Sequence, residues 1–146
     1  MSLVQRVYPS FPAGRVGAAL LAVRAFAGLA LMHHGWSKIQ NPFHWMDRAA
    51  HPAPAPLQFL AALSEFGGGL ALIVGLATPL AALGVLCTMV VATSKHLSNG
   101  DPFVGHGRSW ELAGVYLIVA AATLLAGPGA YSLDAVLLRS RGASRE

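Results

Sequence analysis

Charge is scarce in this chain. Of its 146 residues only 11% are Asp, Glu, Lys or Arg, where a soluble domain of this size carries about 25%. Cysteine is scarcer still: Cys87 stands alone. A single thiol excludes an internal disulfide, a CxxC redox pair and an iron–sulfur ligand set on this chain, so Cys87 is expected as a small buried apolar residue. No glycine-rich loop joins a strand to a helix. Gly67-Gly68-Gly69 falls inside an apolar run and reads as helix packing, not as a nucleotide site. The net charge is +4, but the basic residues do not gather with aromatics into a stripe, which argues against nucleic-acid binding.

What the chain has instead is hydrocarbon. Hydrophobic residues make up 55% and the mean hydropathy is +0.56. The apolar residues fall into four runs of about the length that crosses a bilayer. Turn signals set their limits: Asn41-Pro42 and the prolines at 52, 54 and 56, then Thr78-Pro79, then Ser98-Asn99-Gly100-Asp101-Pro102, then Gly127-Pro128-Gly129. The predicted helices are residues 14–39, 57–76, 79–97 and 110–126, with Ser109 placed to cap the last. Phe43-His44-Trp45-Met46 reads as an interfacial segment, and Tyr131–Leu138 as a short apolar stretch before a basic tail. The first run is too long for a signal-peptide core and contains Arg24, so it is expected to be retained. Arg6, Arg15, Arg139, Arg141 and Arg145 sit at the two ends, which places both termini in the cytoplasm. The expectation is an all-α integral membrane four-helix bundle, one domain over residues 1–146, both termini cytoplasmic.

The few charges are informative because hydrocarbon resists them. One at mid-bilayer costs roughly 2.5–3.5 kcal/mol on insertion scales. Arg24 and Glu65 lie deep in the first two runs. Their expected arrangement is an ion pair, acting either as a register lock or as a proton-relay site. Nearer one end lie His34, Lys38, Lys95, His96 and Glu111, with Asn99 and Trp110 beside them. These form a candidate ligand-binding ring. Small residues mark the faces expected to pack: Gly28 and Gly35 near Arg24 on helix one, Gly67, Ala71 and Gly75 on one side of helix two with Ala61 and Gly69 opposite, and Gly84, Thr88 and Ala92 leading to His96 on helix three. His34 and His96 suit two roles, that of ordinary helix-end histidines and that of donors to a quinone headgroup. Trp36 and Trp110 suit interfacial anchoring better than ring stacking. A b-type haem on His33, His34, His96 or His106 ranks lower. No metal site is expected, since Lys38 and Lys95 would oppose a cation.

An ordered set of pieces resembles the DoxX family of small bacterial four-helix membrane proteins. The pieces are Arg24 with His34-Gly35-Trp36-Ser37-Lys38, Glu65-Phe66-Gly67-Gly68-Gly69, Gly75-Leu76-Ala77-Thr78-Pro79, His96-Leu97-Ser98-Asn99-Gly100, Glu111, and Gly127-Pro128-Gly129-Ala130-Tyr131-Ser132-Leu133-Asp134. The resemblance implies a multi-pass inner-membrane protein and a component of an oxidoreductase system, linked in some members to thiosulfate:quinone oxidation and in others to quinone or oxidative stress. A quinone is the implied cofactor. Membrane lipid, a soluble or membrane redox partner protein and further copies of the chain are the expected partners, with no nucleic acid. Two other functions stay open: an oligomeric transporter or permeation protein for a small solute, and a non-catalytic scaffold whose basic tail holds a soluble redox enzyme.

Overall fold

The computed structural model describes residue 8, residues 11–49 and residues 51–143, with side chains through residue 138. Of the terminal arginines, Arg6, Arg139, Arg141 and Arg145 lie outside the described side chains. Five helices run through the described residues: α1 Gly14–Gln40, α2 Ala55–Val74, α3 Thr78–Ser98, α4 Glu111–Ala126 and α5 Leu133–Ala143. Prolines stand in the first turns of α2 and α3, where their missing N–H would have had no partner anyway.

Three of these helices, α1 to α3, are long and apolar enough to cross a membrane. The fourth, α4, is equally apolar but has 16 residues, about 24 Å against about 30 Å of hydrocarbon. The chain is a multi-pass membrane protein. Its outward side chains fit that solvent: Phe26, Leu80, Val91, Ile118 and Leu125 are all more than 60% exposed. The interior is built from all four long helices, with Leu31, Leu72, Ala82, Val85, Met89 and Ala120 forming one cluster.

Helices α1 and α2 meet backbone to backbone at their glycines. A Cβ on Gly28 would lie 2.5 Å from the Gly69 carbonyl oxygen, and one on Gly35 would lie 2.6 Å from the Phe66 nitrogen. Backbone cannot yield as a flexible side chain does, so both positions must lack a side chain for the helices to meet. Gly28→Ala is expected to force the pair apart at a cost of about 1–3 kcal/mol. The check is the thermal unfolding midpoint in detergent, and an unchanged midpoint would contradict the packing.

Several helix limits differ from the expected ones. Helix α2 stops at Val74, two residues early, because Gly75 turns left-handed at φ 68°. Its amide and that of Leu76 both return to the Ala71 carbonyl, which closes the helix end. At α4, Ser109 makes no capping bond. Trp110 holds the cap position, and the loop supplies acceptors instead: the Trp110 amide donates to Pro102 and that of Glu111 to Phe103. The Phe103 and Trp110 rings meet at 4.5 Å. The stretch after Gly129 is the helix α5, begun by the Ser132 hydroxyl, which accepts from the Ala135 amide at 3.1 Å. Cys87 is exposed, not buried. It edges an outward groove between α2 and α3 that also includes Leu60, Gly67, Leu80 and Gly84.

The amide of Ala130 bonds the carbonyl of Pro12 at 2.8 Å, so the segments flanking the bundle lie together at one end, here termed the termini end. The 1–2 and 3–4 loops occupy the opposite, loop end.

Candidate functional site

The buried charges separate into two groups at different depths, and the expected Arg24–Glu65 pair is not one of them. Arg24 is 1% exposed and bonds two backbone carbonyls, Leu72 at 2.8 Å and Tyr131 at 2.7 Å. Glu65 is held by Lys38, whose Nζ lies 2.6 Å from each carboxylate oxygen. The reason is helix register. Gly35 packs at Glu65 and Phe66, while Arg24 packs at Leu72 and Gly75. Arg24 lies eleven residues below Gly35, roughly 16 Å along α1. Helical side chains lean toward their own N-terminus. In antiparallel helices this carries Arg24 and Glu65 apart and brings Lys38 and Glu65 together.

Arg24 thus belongs to a cluster at the termini end. The guanidinium sits on a last-turn carbonyl of α2, where the helix dipole is negative. Asp134 does the converse for α3. Its two oxygens accept the amides of Ala77 and Thr78, each at 2.8 Å, at the positive end of that helix. Ala77 is itself left-handed at φ 47°, a strain of order 1–3 kcal/mol that the two bonds hold in place. Burial first, and then the Asp134 carboxylate, push the Tyr8 phenol above its ordinary pKa. Gly75 completes the cluster, since a Cβ there would fall 2.5 Å from Arg24 Nη1. The bonds of Arg24 and Asp134 all go to backbone groups at helix ends and turns.

The second group faces space. At the loop end a cavity of about 330 Å³ is lined by α1 (Leu31, His34, Lys38), Glu65 of α2, α3 (Met89, Ala92, His96), loop residues Gly107 to Ser109, and α4 (Leu112, Ala113, Tyr116). That volume lies in the range of small-ligand sites, about 300–1,000 Å³. Glu65 stands in a single π-helical turn, Leu63–Gly67, inside α2. Such turns recur at functional sites because the inserted residue re-aims the side chains around it. Lys38 is 23% exposed and Glu65 5%. The Trp45 ring covers the ammonium from 4.7 Å. The loop that carries Trp45 is pinned by Gln58, whose side chain bonds the Met46 amide, Asp47 and the Ala53 carbonyl and whose own carbonyl takes the Trp45 indole N–H. The Phe43 ring stacks on Phe59 at 5.0 Å. His96 bonds Asp101 at 2.8 Å, and His34 meets Tyr116 edge-on at 6.0 Å.

Of the expected ring, the structure brings His34, Lys38 and His96 to the cavity and adds Glu65. Lys95, Asn99 and Glu111 are exposed and Trp110 packs on Phe103; none of the four lines it. The cause at α3 is geometric. Steps of four residues drift by about 40°, so the stripe that begins at Gly84 and Thr88 against Ser64 of α2 reaches the cavity by Ala92 and His96. Tyr116, Trp45 and Gln58 were not anticipated. Gln58 carried one sign, a lone amide side chain at the start of an apolar helix.

Neither a curated protein nor a solved structure matches the chain. The DoxX family model matches residues 19–107. That span holds Arg24, His34, Lys38, Glu65 and His96; Tyr116 and Asp134 lie beyond it. With more than half of its length matched, this multi-pass membrane protein belongs to the DoxX family.

Proposed function

We propose that this chain is an inner-membrane subunit of a quinone-linked redox system, with its termini in the cytoplasm and the loop-end cavity as its quinone headgroup site. The observation that carries it is the Lys38–Glu65 pair set in the wall of a cavity that His34, His96 and Tyr116 also face. A quinone ring offers two carbonyl oxygens as acceptors. Lys38, the histidines and the Tyr116 hydroxyl are donors at the height where a headgroup would sit. Reduction to the quinol takes two electrons, supplied by a partner redox protein, and two protons. A histidine or lysine beside the ring gives up a proton and is refilled from water at the loop end. The apolar side chains of Leu31, Met89 and Ala113 suit the ring faces.

The orientation rests on the terminal arginines; Arg15 is exposed at the start of α1. The test is binding. Purified protein in lipid nanodiscs is expected to bind a benzoquinone, and His34→Ala and Glu65→Gln are each expected to weaken that binding at least tenfold. Wild-type protein that takes up no quinone beyond empty discs would end the proposal.

A further inference from the structure

The cavity has two walls of different character, and they point to the way in. Toward the loop end it is lined by polar groups: Lys38 under the Trp45 ring, Arg108, and His96 bonded to Asp101. Between α1 and α4 the wall is Leu31, His34, Leu112, Ala113 and Tyr116. Of the four neighbouring helix pairs in the bundle, α1 and α4 touch least. Four lining residues are exposed: Gly107 and Arg108 at the loop end, and His34 and Leu112 on the two helices of the α1–α4 seam, Leu112 by 47%. A lining side chain that is also exposed stands at an opening, so the cavity opens to the loop end and, through a mouth on the outward face of the seam, to the side.

In a membrane protein, that outward face meets lipid. The exposed residues of α4 below the mouth, Val115, Ile118 and Leu125, are apolar. The mouth therefore joins the polar end of the cavity to the hydrocarbon along α4. A ligand seated there would place a polar head against Lys38, Glu65 and Tyr116 and leave any tail in the seam.

We infer that the α1–α4 seam is a lateral portal and that the ligand of this site is a tailed amphiphile which enters from the bilayer and keeps its chain in the seam. This rests on the quinone-site proposal and narrows it: a ring with a hydrocarbon chain is selected over the same ring without one. Leu112 becomes the specificity-determining residue, because it is the lipid-facing side chain beside which the tail must pass.

The experiment compares a methyl-substituted benzoquinone without a tail and the same ring carrying a ten-carbon chain, both measured in nanodiscs and corrected for uptake by empty discs. In wild-type protein the tailed quinone is expected to bind at least tenfold more tightly. Leu112→Trp plugs the mouth from a lipid-facing position. It is expected to weaken the tailed quinone at least tenfold and to leave the tailless one within twofold. Leu112→Phe is the milder plug, with a smaller shift in the same direction. Val91→Trp, exposed on α3 and away from both the cavity and the seam, is expected to match wild type. Equal affinity for the two quinones in wild type overturns the portal, as do Leu112 variants that weaken both alike or neither, while the quinone site itself survives. Binding of neither quinone by wild type removes the site and the portal together.

Discussion

Arg24→Met lowers the stability of the bundle by roughly 3–5 kcal/mol, the range for removing one partner from a buried charged cluster. Ordinary interhelical hydrogen bonds in membranes are worth far less, about 0.6 kcal/mol on average, because the unfolded helices find other partners. Arg24 differs on two counts. It carries a full charge, and its acceptors are fixed at a helix end. The amides that might have reached the Leu72 carbonyl, those of Gly75 and Leu76, are both taken by Ala71. Removing the guanidinium strands that carbonyl and the one on Tyr131, and it leaves the Asp134 carboxylate without its nearby cation. Lysine at the same position keeps the charge but cannot span two carbonyls with a fixed fork, so Arg24→Lys is expected to recover only part of the loss. The check is the unfolding free energy in mixed micelles. Arg24→Met at wild-type stability would show that the cluster does not hold the α2–α3 turn.

Lys38 and Glu65 are expected to behave as a pair whose halves cannot be removed singly. Lys38→Met leaves a carboxylate in an apolar wall, and Glu65→Leu leaves an ammonium there. Each is expected to cost about 3–5 kcal/mol, while the double variant Lys38→Met/Glu65→Leu returns to within about 1 kcal/mol of wild type or exceeds it. The partial exposure of Lys38, 23%, makes Glu65→Leu the milder single change, since the ammonium can turn toward water at the loop end. The measurement is a double-mutant cycle on unfolding. Additive effects of the two changes would mean that the 2.6 Å contacts carry no coupling.

Much of this was legible in the chain before its folding was known. Apolar run length and Pro/Gly punctuation located the four long helices, because in lipid a backbone has few other ways to satisfy its hydrogen bonds. The small-residue stripes identified Gly28, Gly35 and Gly69 as contact points. The pairing of charges was not legible, for it depends on the register of α1 against α2. Depth counted from each helix end set Arg24 level with Glu65. Contacts at Gly28 and Gly35 fix a register in which they are far apart. The lean of side chains toward their N-termini already favoured separation. Helix α5 had a readable start in Ser132 followed by Asp134 in its first turn. That Asp134 would close α3 from across the chain was not readable, because nothing local marks a cap 56 residues away. Tyr116 was hidden for a similar reason: on an apolar helix a tyrosine looks like any interfacial aromatic until His34 and Glu65 are set beside it.

The proposed division of labour has Arg24 and Asp134 hold the fold and Lys38 and Glu65 serve a ligand. The most direct test is quinone affinity measured on the folded Lys38→Met/Glu65→Leu double variant. The account predicts wild-type helicity and near wild-type stability with quinone binding weakened at least tenfold. Binding retained at wild-type affinity in that folded variant would contradict it and return the pair to a purely structural role.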